Sequence, residues 1–109
     1  MERIRVVSLD LLADGAAARC HAAGHPIALF RLGSEVFALG DRCSHAEASL
    51  SEGEVSGGVV ECPRHGATFD LRTGEALSLP ATHPVPVYRT EVEGSDVYVY
   101  AAPVPEGAR

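Results

Sequence analysis

Two pairs of cysteine and histidine residues place the strongest constraint on what this chain can fold into. The first pair is Cys43-x-His45 and the second is Cys62-x-x-His65, with sixteen residues between His45 and Cys62. Two thiolates and two imidazoles on two loops are a metal-binding set. By itself the set fits either a tetrahedral zinc ion or a 2Fe–2S cluster in which two histidines replace two cysteines on one iron.

The residues next to these ligands favour the cluster. Ala46, Gly66 and Ala67 are small, so the backbone can approach closely and direct N–H groups at the bridging sulfides. A zinc finger with two cysteines and two histidines normally carries its histidine pair on a helix, and the sequence predicts no long helix. A structural zinc module remains the alternative.

The pattern of turns predicts an all-β fold. Gly and Pro account for 18 of the 109 residues and are spread along the chain, which suits short strands and tight turns. Hairpins are predicted around Gly33-Ser34, around Gly94-Ser95 and around residues 56–58. One helical turn is predicted within residues 9–17. The predicted strands are residues 3–8, 27–32, 35–39, 53–55, 59–61, 88–93 and 97–100.

Composition excludes several classes of protein. The net charge of −6, from nine basic and fifteen acidic residues, argues against nucleic acid as a partner. No apolar stretch reaches the roughly 18 residues that a membrane helix needs, and the N-terminus does not resemble a signal peptide, so we expect a cytoplasmic protein. Three cysteines, an odd number, are expected to be reduced. A chain of this length predicts one domain.

The segments "CSH" and "CPRHGATFDLRTGEALSLPA" resemble the Rieske family over about residues 41–86, matching C-x-H…C-P-x-H-G-x-x-F-D-x-x-T-G…P-A. The resemblance implies one 2Fe–2S cluster per chain, with Cys43 and Cys62 on the inner iron and His45 and His65 on the outer iron. It also implies antiparallel sheets, with a cluster-binding subdomain at about residues 41–82 on a β-sandwich base formed by residues 1–40 and 83–109. Residues 79–81, "LPA", resemble the family's proline-containing loop, which covers the cluster from a third side.

Three departures indicate the low-potential, soluble branch of the family. Rieske proteins of cytochrome bc-type complexes have a disulfide between the cluster loops, and here the matching positions are Ala48 and Arg64. Those proteins also place Ser and Tyr hydroxyls near the cluster, where this chain has Ala67 and Phe69. Their N-terminal membrane helix has no counterpart in this sequence.

The resemblance is therefore to the ferredoxin component of aromatic-ring-hydroxylating dioxygenase systems. It implies a monomeric electron carrier, with no catalytic residues, between a flavin-dependent reductase and a terminal oxygenase. A Rieske-like small subunit of a nitrite reductase is a second alternative. The acidic residues Glu47, Glu52, Glu54 and Glu61 are either a solvated face or a docking surface.

Other residues with reactive side chains are assigned no role in the chemistry. Cys20 is predicted to be a small core residue, and His21, His25 and His83 to lie at the surface or in turns. Thr73-Gly74 is predicted to be a simple turn.

Overall fold

Short antiparallel strands dominate the structure, a computed structural model that describes residues 2–43, 48–64, 66–79 and 83–105. Six strands form one sheet in the order β1-β9-β8-β4-β3-β2, and three form a second sheet in the order β5-β6-β7. The strands are β1 Arg3–Ser8, β2 Ala17–Ala22, β3 His25–Leu32, β4 Glu35–Gly40, β5 Glu54–Ser56, β6 Val59–Glu61, β7 Thr68–Asp70, β8 Val87–Glu93 and β9 Asp96–Pro103. The all-β prediction is confirmed.

Helical structure in the described residues is limited to two 3₁₀ helices of three residues each. Leu9–Leu11 lies where one helical turn was predicted, and the Ser8 hydroxyl caps it by accepting from the Asp10 N–H. Leu50–Glu52 was not predicted. No helix among the described residues is long and apolar enough to cross a bilayer.

Strand β3 explains how the two sheets share one core. Its side chains alternate between the two faces of the six-stranded sheet, and both faces are covered. Ala28 and Phe30 belong to an inter-sheet cluster that includes Val60 and Phe69 from the small sheet. Ile27 and Leu29 belong to a base cluster built from the large sheet and its connections. A strand buried on both faces therefore reads as the continuous apolar run Ile-Ala-Leu-Phe.

The large sheet leads directly into the predicted metal-binding region. Strand β4 ends at Gly40, whose N–H donates to Pro86 O at 2.8 Å. Residues 41–86 then contain the small sheet, and the chain returns to the large sheet at β8. The small sheet is thus inserted between β4 and β8, and it packs against the face of the large sheet that carries Ala28 and Phe30.

Candidate metal centre

The first predicted ligand segment is a loop closed at its base by paired backbone. Arg42 and Ser49 form an isolated antiparallel bridge, and the Cys43 N–H donates to Ala48 O at 3.0 Å. The Cys43 side chain is buried, with only 3 % of the residue exposed. The structure therefore places this thiol inside the protein, at the start of a short closed loop.

The second predicted ligand segment repeats this construction at the end of the β6–β7 hairpin. Glu61 pairs with Thr68, and the Cys62 N–H donates to Ala67 O at 2.7 Å. Gly66 has φ +78°, a conformation that glycine adopts without strain, and its N–H donates to Cys62 O. Cys62 is 1 % exposed.

The two loops have the same construction, which suits two loops that bind one metal centre. In each, the cysteine N–H donates to the carbonyl five residues later, which folds the loop back onto its first residue. Both thiols belong to the inter-sheet cluster, together with Ala67 and Phe69. Two buried thiols on two matched loops are the donors that bind the inner iron of a cluster with two Cys and two His ligands. The chain fits such a cluster.

The predicted imidazole ligands, His45 and His65, lie outside the described residues, so the four-residue ligand set stays a prediction. Glu47, Pro80 and Ala81 are also outside them. In the described part of the chain, no group of three or more His, Cys, Asp and Glu residues is arranged to hold a metal ion. Two of the four proposed ligands are not within that part.

A third segment packs along strand β7, which follows the second ligand loop, and leads toward residues 79–81. Ala76 forms a bridge with Phe69, and the Leu77 N–H donates to Thr68 O at 2.8 Å. The Ser78 hydroxyl contacts the Thr68 hydroxyl at 2.8 Å and also accepts from the Thr68 N–H. These contacts hold residues 76–78 as an added edge beside strand β7.

Gly74 has a role that the prediction of a simple turn missed. Its φ is +71°, and a Cβ at this position would lie 2.4 Å from Val85 O and 2.8 Å from Val87 Cγ2. The Gly74 carbonyl also accepts from the Val85 N–H at 2.9 Å. Only glycine allows this approach, which fixes the third segment against the large sheet. In the sequence, a Thr-Gly pair predicts the turn but does not indicate that Val85 and Val87 pack against the glycine.

Cys20, predicted to be a small core residue, packs against the base cluster and is partly exposed. Burial raises the pKa of its thiol, and the nearby charge of Asp41 raises the pKa further. His21, His25 and His83 are exposed, as predicted.

We expect Cys20 to react slowly with iodoacetamide at neutral pH, because the thiolate is the nucleophile and a raised pKa keeps the thiol protonated. The rate should still be rising at a pH where an unperturbed cysteine peptide has reached its plateau. Mass spectrometry of the alkylated protein measures both rates. A plateau at the same pH as the peptide would contradict the raised pKa.

The acidic residues around the ligand loops lie at the surface where they are described. Glu52, Glu54 and Glu61 are exposed. Their role in docking stays a prediction.

Comparison with known proteins agrees with this geometry. A family model described as "Rieske [2Fe-2S] domain" matches residues 2–89. The chain is 54 % identical over 74 residues to the 3-phenylpropionate/cinnamic acid dioxygenase ferredoxin subunit of Shigella boydii serotype 4 (strain Sb227), covering 67 % of this chain and 70 % of that protein.

Solved structures extend the similarity over nearly the whole chain. The ferredoxin of carbazole 1,9a-dioxygenase from Nocardioides aromaticivorans IC177 has a TM-score of 0.90 and 35 % identity, covering 94 % of this chain and all of that one. A chain in a complex of reduced oxygenase and oxidized ferredoxin in carbazole 1,9a-dioxygenase has a TM-score of 0.89 and 37 % identity. The matched region covers 95 % of this chain and 97 % of that one.

Proposed function

The chain belongs to the Rieske [2Fe-2S] family, and from this premise we propose that it is the one-electron carrier of a ring-hydroxylating dioxygenase system. The observation that carries the proposal is the pair of buried thiols, Cys43 and Cys62, on matched loops in one apolar cluster. When bound, a Rieske cluster supplies the chemistry of accepting and releasing a single electron. The residues of the chain hold it and control its surroundings.

The proposed ligands have distinct roles. Cys43 and Cys62 hold the inner iron from within the protein, and His45 and His65 hold the outer iron. The burial of both thiols supports this assignment, because thiolates enclosed by apolar side chains are shielded from water and oxidants. The cluster-binding unit is proposed to be residues 41–82, on a base of residues 1–40 and 83–109, which agrees with the division between the two sheets.

The protein is a carrier and not an enzyme, since its relatives are named ferredoxin subunits of dioxygenases. We propose a terminal oxygenase as its electron acceptor, supported by the related ferredoxin that is found in complex with an oxygenase. A flavin-dependent reductase is proposed as the donor, and a cytoplasmic monomer as the working form. The exposed Glu52, Glu54 and Glu61 would steer the protein toward basic surfaces on these partners.

An assay with the purified cluster-containing protein tests this function. NADH, a flavin-dependent ferredoxin reductase from a dioxygenase system and the matching terminal oxygenase are mixed with and without the protein. Under anaerobic conditions, NADH and the reductase are expected to reduce the protein and bleach its visible bands. In air, addition of the protein is expected to allow oxygenase turnover. A colourless protein that contains zinc, or one that the reductase cannot reduce, would overturn the proposal.

The reduction potential is expected to lie near the low end of the Rieske range, at roughly −150 mV. Ala67 and Phe69 are fully buried in the same cluster as the two thiols, and neither provides a hydroxyl. A hydroxyl donating to a cluster sulfur favours the more negative reduced state by roughly 1–2 kcal/mol. At about 59 mV per 1.4 kcal/mol, each donor is worth roughly 40–85 mV.

Ala67→Ser combined with Phe69→Tyr is therefore expected to raise the potential by about 100 mV, as measured by redox titration of the visible spectrum. Val99→Thr is the control, because it adds a hydroxyl at a fully buried position in the base cluster instead. Its potential should equal that of the wild type. A wild-type potential well above zero would contradict a carrier fed by a flavin reductase.

A further inference from the structure

Asp41 is the only buried charged side chain among the described residues, at 2 % exposure. It follows the end of β4 and precedes Cys43 by two positions. Its carboxylate accepts from the Ser49 hydroxyl and from the Ser51 N–H at 3.0 Å, and it forms an ion pair with Arg19 Nε at 3.3 Å. All three partners are donors, which matches the acceptor capacity of a carboxylate.

These contacts lie at the base of the first ligand loop. Ser49 and Ser51 follow the loop, whereas Asp41 precedes it, so the carboxylate joins the two ends. The backbone of Asp41 adds two more ties, because its N–H donates to Pro26 O at 3.1 Å and its carbonyl accepts from the Leu50 N–H at 2.7 Å. The position of Cys43 therefore depends on how residue 41 is held.

The charge of Asp41 is close enough to the ligand loop to influence an added electron. Two peptide units separate its Cα from that of Cys43, so the two atoms lie within about 7.6 Å. A buried charge is poorly screened, and a negative one opposes the arrival of an electron nearby. Arg19, on strand β2, offsets this charge from the rim of a cleft of about 460 Å³ that Arg42 and Glu52 also line. The Arg19 side chain is 54 % exposed, so water screens it more than the carboxylate.

We propose that Asp41 is a positioning residue that fixes the first ligand loop, and that its buried charge, partly balanced by Arg19, sets the reduction potential of the centre. The proposal rests on the function proposed above. Strand β2 therefore has a second task, since it supplies the guanidinium that balances the carboxylate.

Opposite shifts in potential distinguish this role from a merely structural one. In the cluster-containing protein, Asp41→Asn removes the negative charge and should raise the midpoint potential. Arg19→Gln removes the balancing positive charge and should lower it. Arg5→Gln is the matched control, because Arg5 is also 54 % exposed and also pairs through Nε with an aspartate, Asp96. Asp96 pairs with Glu93 of β8 and Ser8 of β1, outside the residues that flank Cys43 and Cys62, so the potential should not change.

Amide hydrogen exchange gives a second readout, which does not depend on electron transfer. The Ser51 N–H should exchange faster in Asp41→Asn, where a neutral amide oxygen replaces the carboxylate acceptor, and should be unaffected in Arg5→Gln. If Asp41→Asn fails to retain the cluster, the comparison of Arg19→Gln with Arg5→Gln still decides, because both substitutions are at half-exposed side chains.

The outcomes separate the two proposals. Unchanged potentials in both Asp41→Asn and Arg19→Gln, or shifts in the same direction, would overturn the role of Asp41 and leave the carrier function standing. A wild-type protein without the visible bands of a cluster would overturn the proposed carrier function, and with it the role of Asp41.

Discussion

Replacing His45 or His65 with alanine is expected to abolish the visible spectrum of the purified protein. If the proposed ligand set is right, each substitution removes one of four bonds between protein and cluster, and two cysteine thiolates alone cannot complete the coordination of both irons. We expect near-complete loss of bound iron in each variant and in Cys43→Ala and Cys62→Ala. Absorption spectra combined with iron and zinc analysis of each purified variant give the result.

Two substitutions serve as controls for this experiment. Cys20→Ser removes the one cysteine that lies outside the ligand loops, and His83→Ala removes an exposed histidine of the described chain. Both variants should keep the full spectrum. Bleaching by Cys20→Ser together with an intact spectrum in His45→Ala would show that the ligand assignment is wrong. Zinc in place of iron in the wild type would instead favour the zinc module.

The sequence predicted the strands whose apolar residues and turns were both clear. Residues 3–8 form β1 as predicted, and the hairpins at Gly33-Ser34 and Gly94-Ser95 join β3 to β4 and β8 to β9. In these segments, β-branched and aromatic side chains flank residues with a strong turn preference. The local conformational preferences therefore agree with the tertiary packing.

Strand β2 escaped prediction because its own residues favour no strand. Ala17–Ala22 has the sequence Ala-Ala-Arg-Cys-His-Ala, which contains no β-branched or aromatic side chain. Its conformation comes from pairing with β3, in a register from Ala17 opposite Phe30 to Ala22 opposite His25. Strand β7 was missed for a related reason. Its three residues, Thr68–Asp70, are too few to show an alternating pattern, and no two-glycine turn marks them as Gly57-Gly58 marks the equally short β5 and β6.

The candidate site shows the same division between what local sequence reveals and what it does not. The cysteine–histidine spacing marked both ligand loops, and the structure buries the two cysteines in one cluster. The support beneath the loops was not visible, because it depends on contacts distant in the sequence. Asp41 meets Arg19 across 22 positions, and Gly74 meets Val85 across 11. An aspartate or a glycine in the sequence gives no indication of which distant residue it contacts.

Gly53, directly before β5, has the least room for a side chain among the described glycines. A Cβ built there would lie 2.0 Å from Glu61 O and 3.1 Å from the Glu61 carbonyl carbon. Its φ of −82° suits any residue, so only the lack of space requires glycine. Glu61 directly precedes Cys62, which means that displacing its carbonyl disturbs the second ligand loop.

Gly53→Ala is therefore expected to destabilise the protein by about 3 kcal/mol or more, because backbone atoms rather than a flexible side chain must move. Gly57→Ala is the control: Gly57 has φ +59° and open space around it, so its alanine variant bears only the strain of a left-handed conformation, about 1–2 kcal/mol. Urea unfolding of both variants measures the difference, and iron content reports on the ligand loop. Equal stability losses and equal iron contents in the two variants would mean that the approach to Glu61 does not matter. A larger loss in Gly53→Ala, accompanied by lower iron content, would show that the turn into β5 supports the loop that contains Cys62.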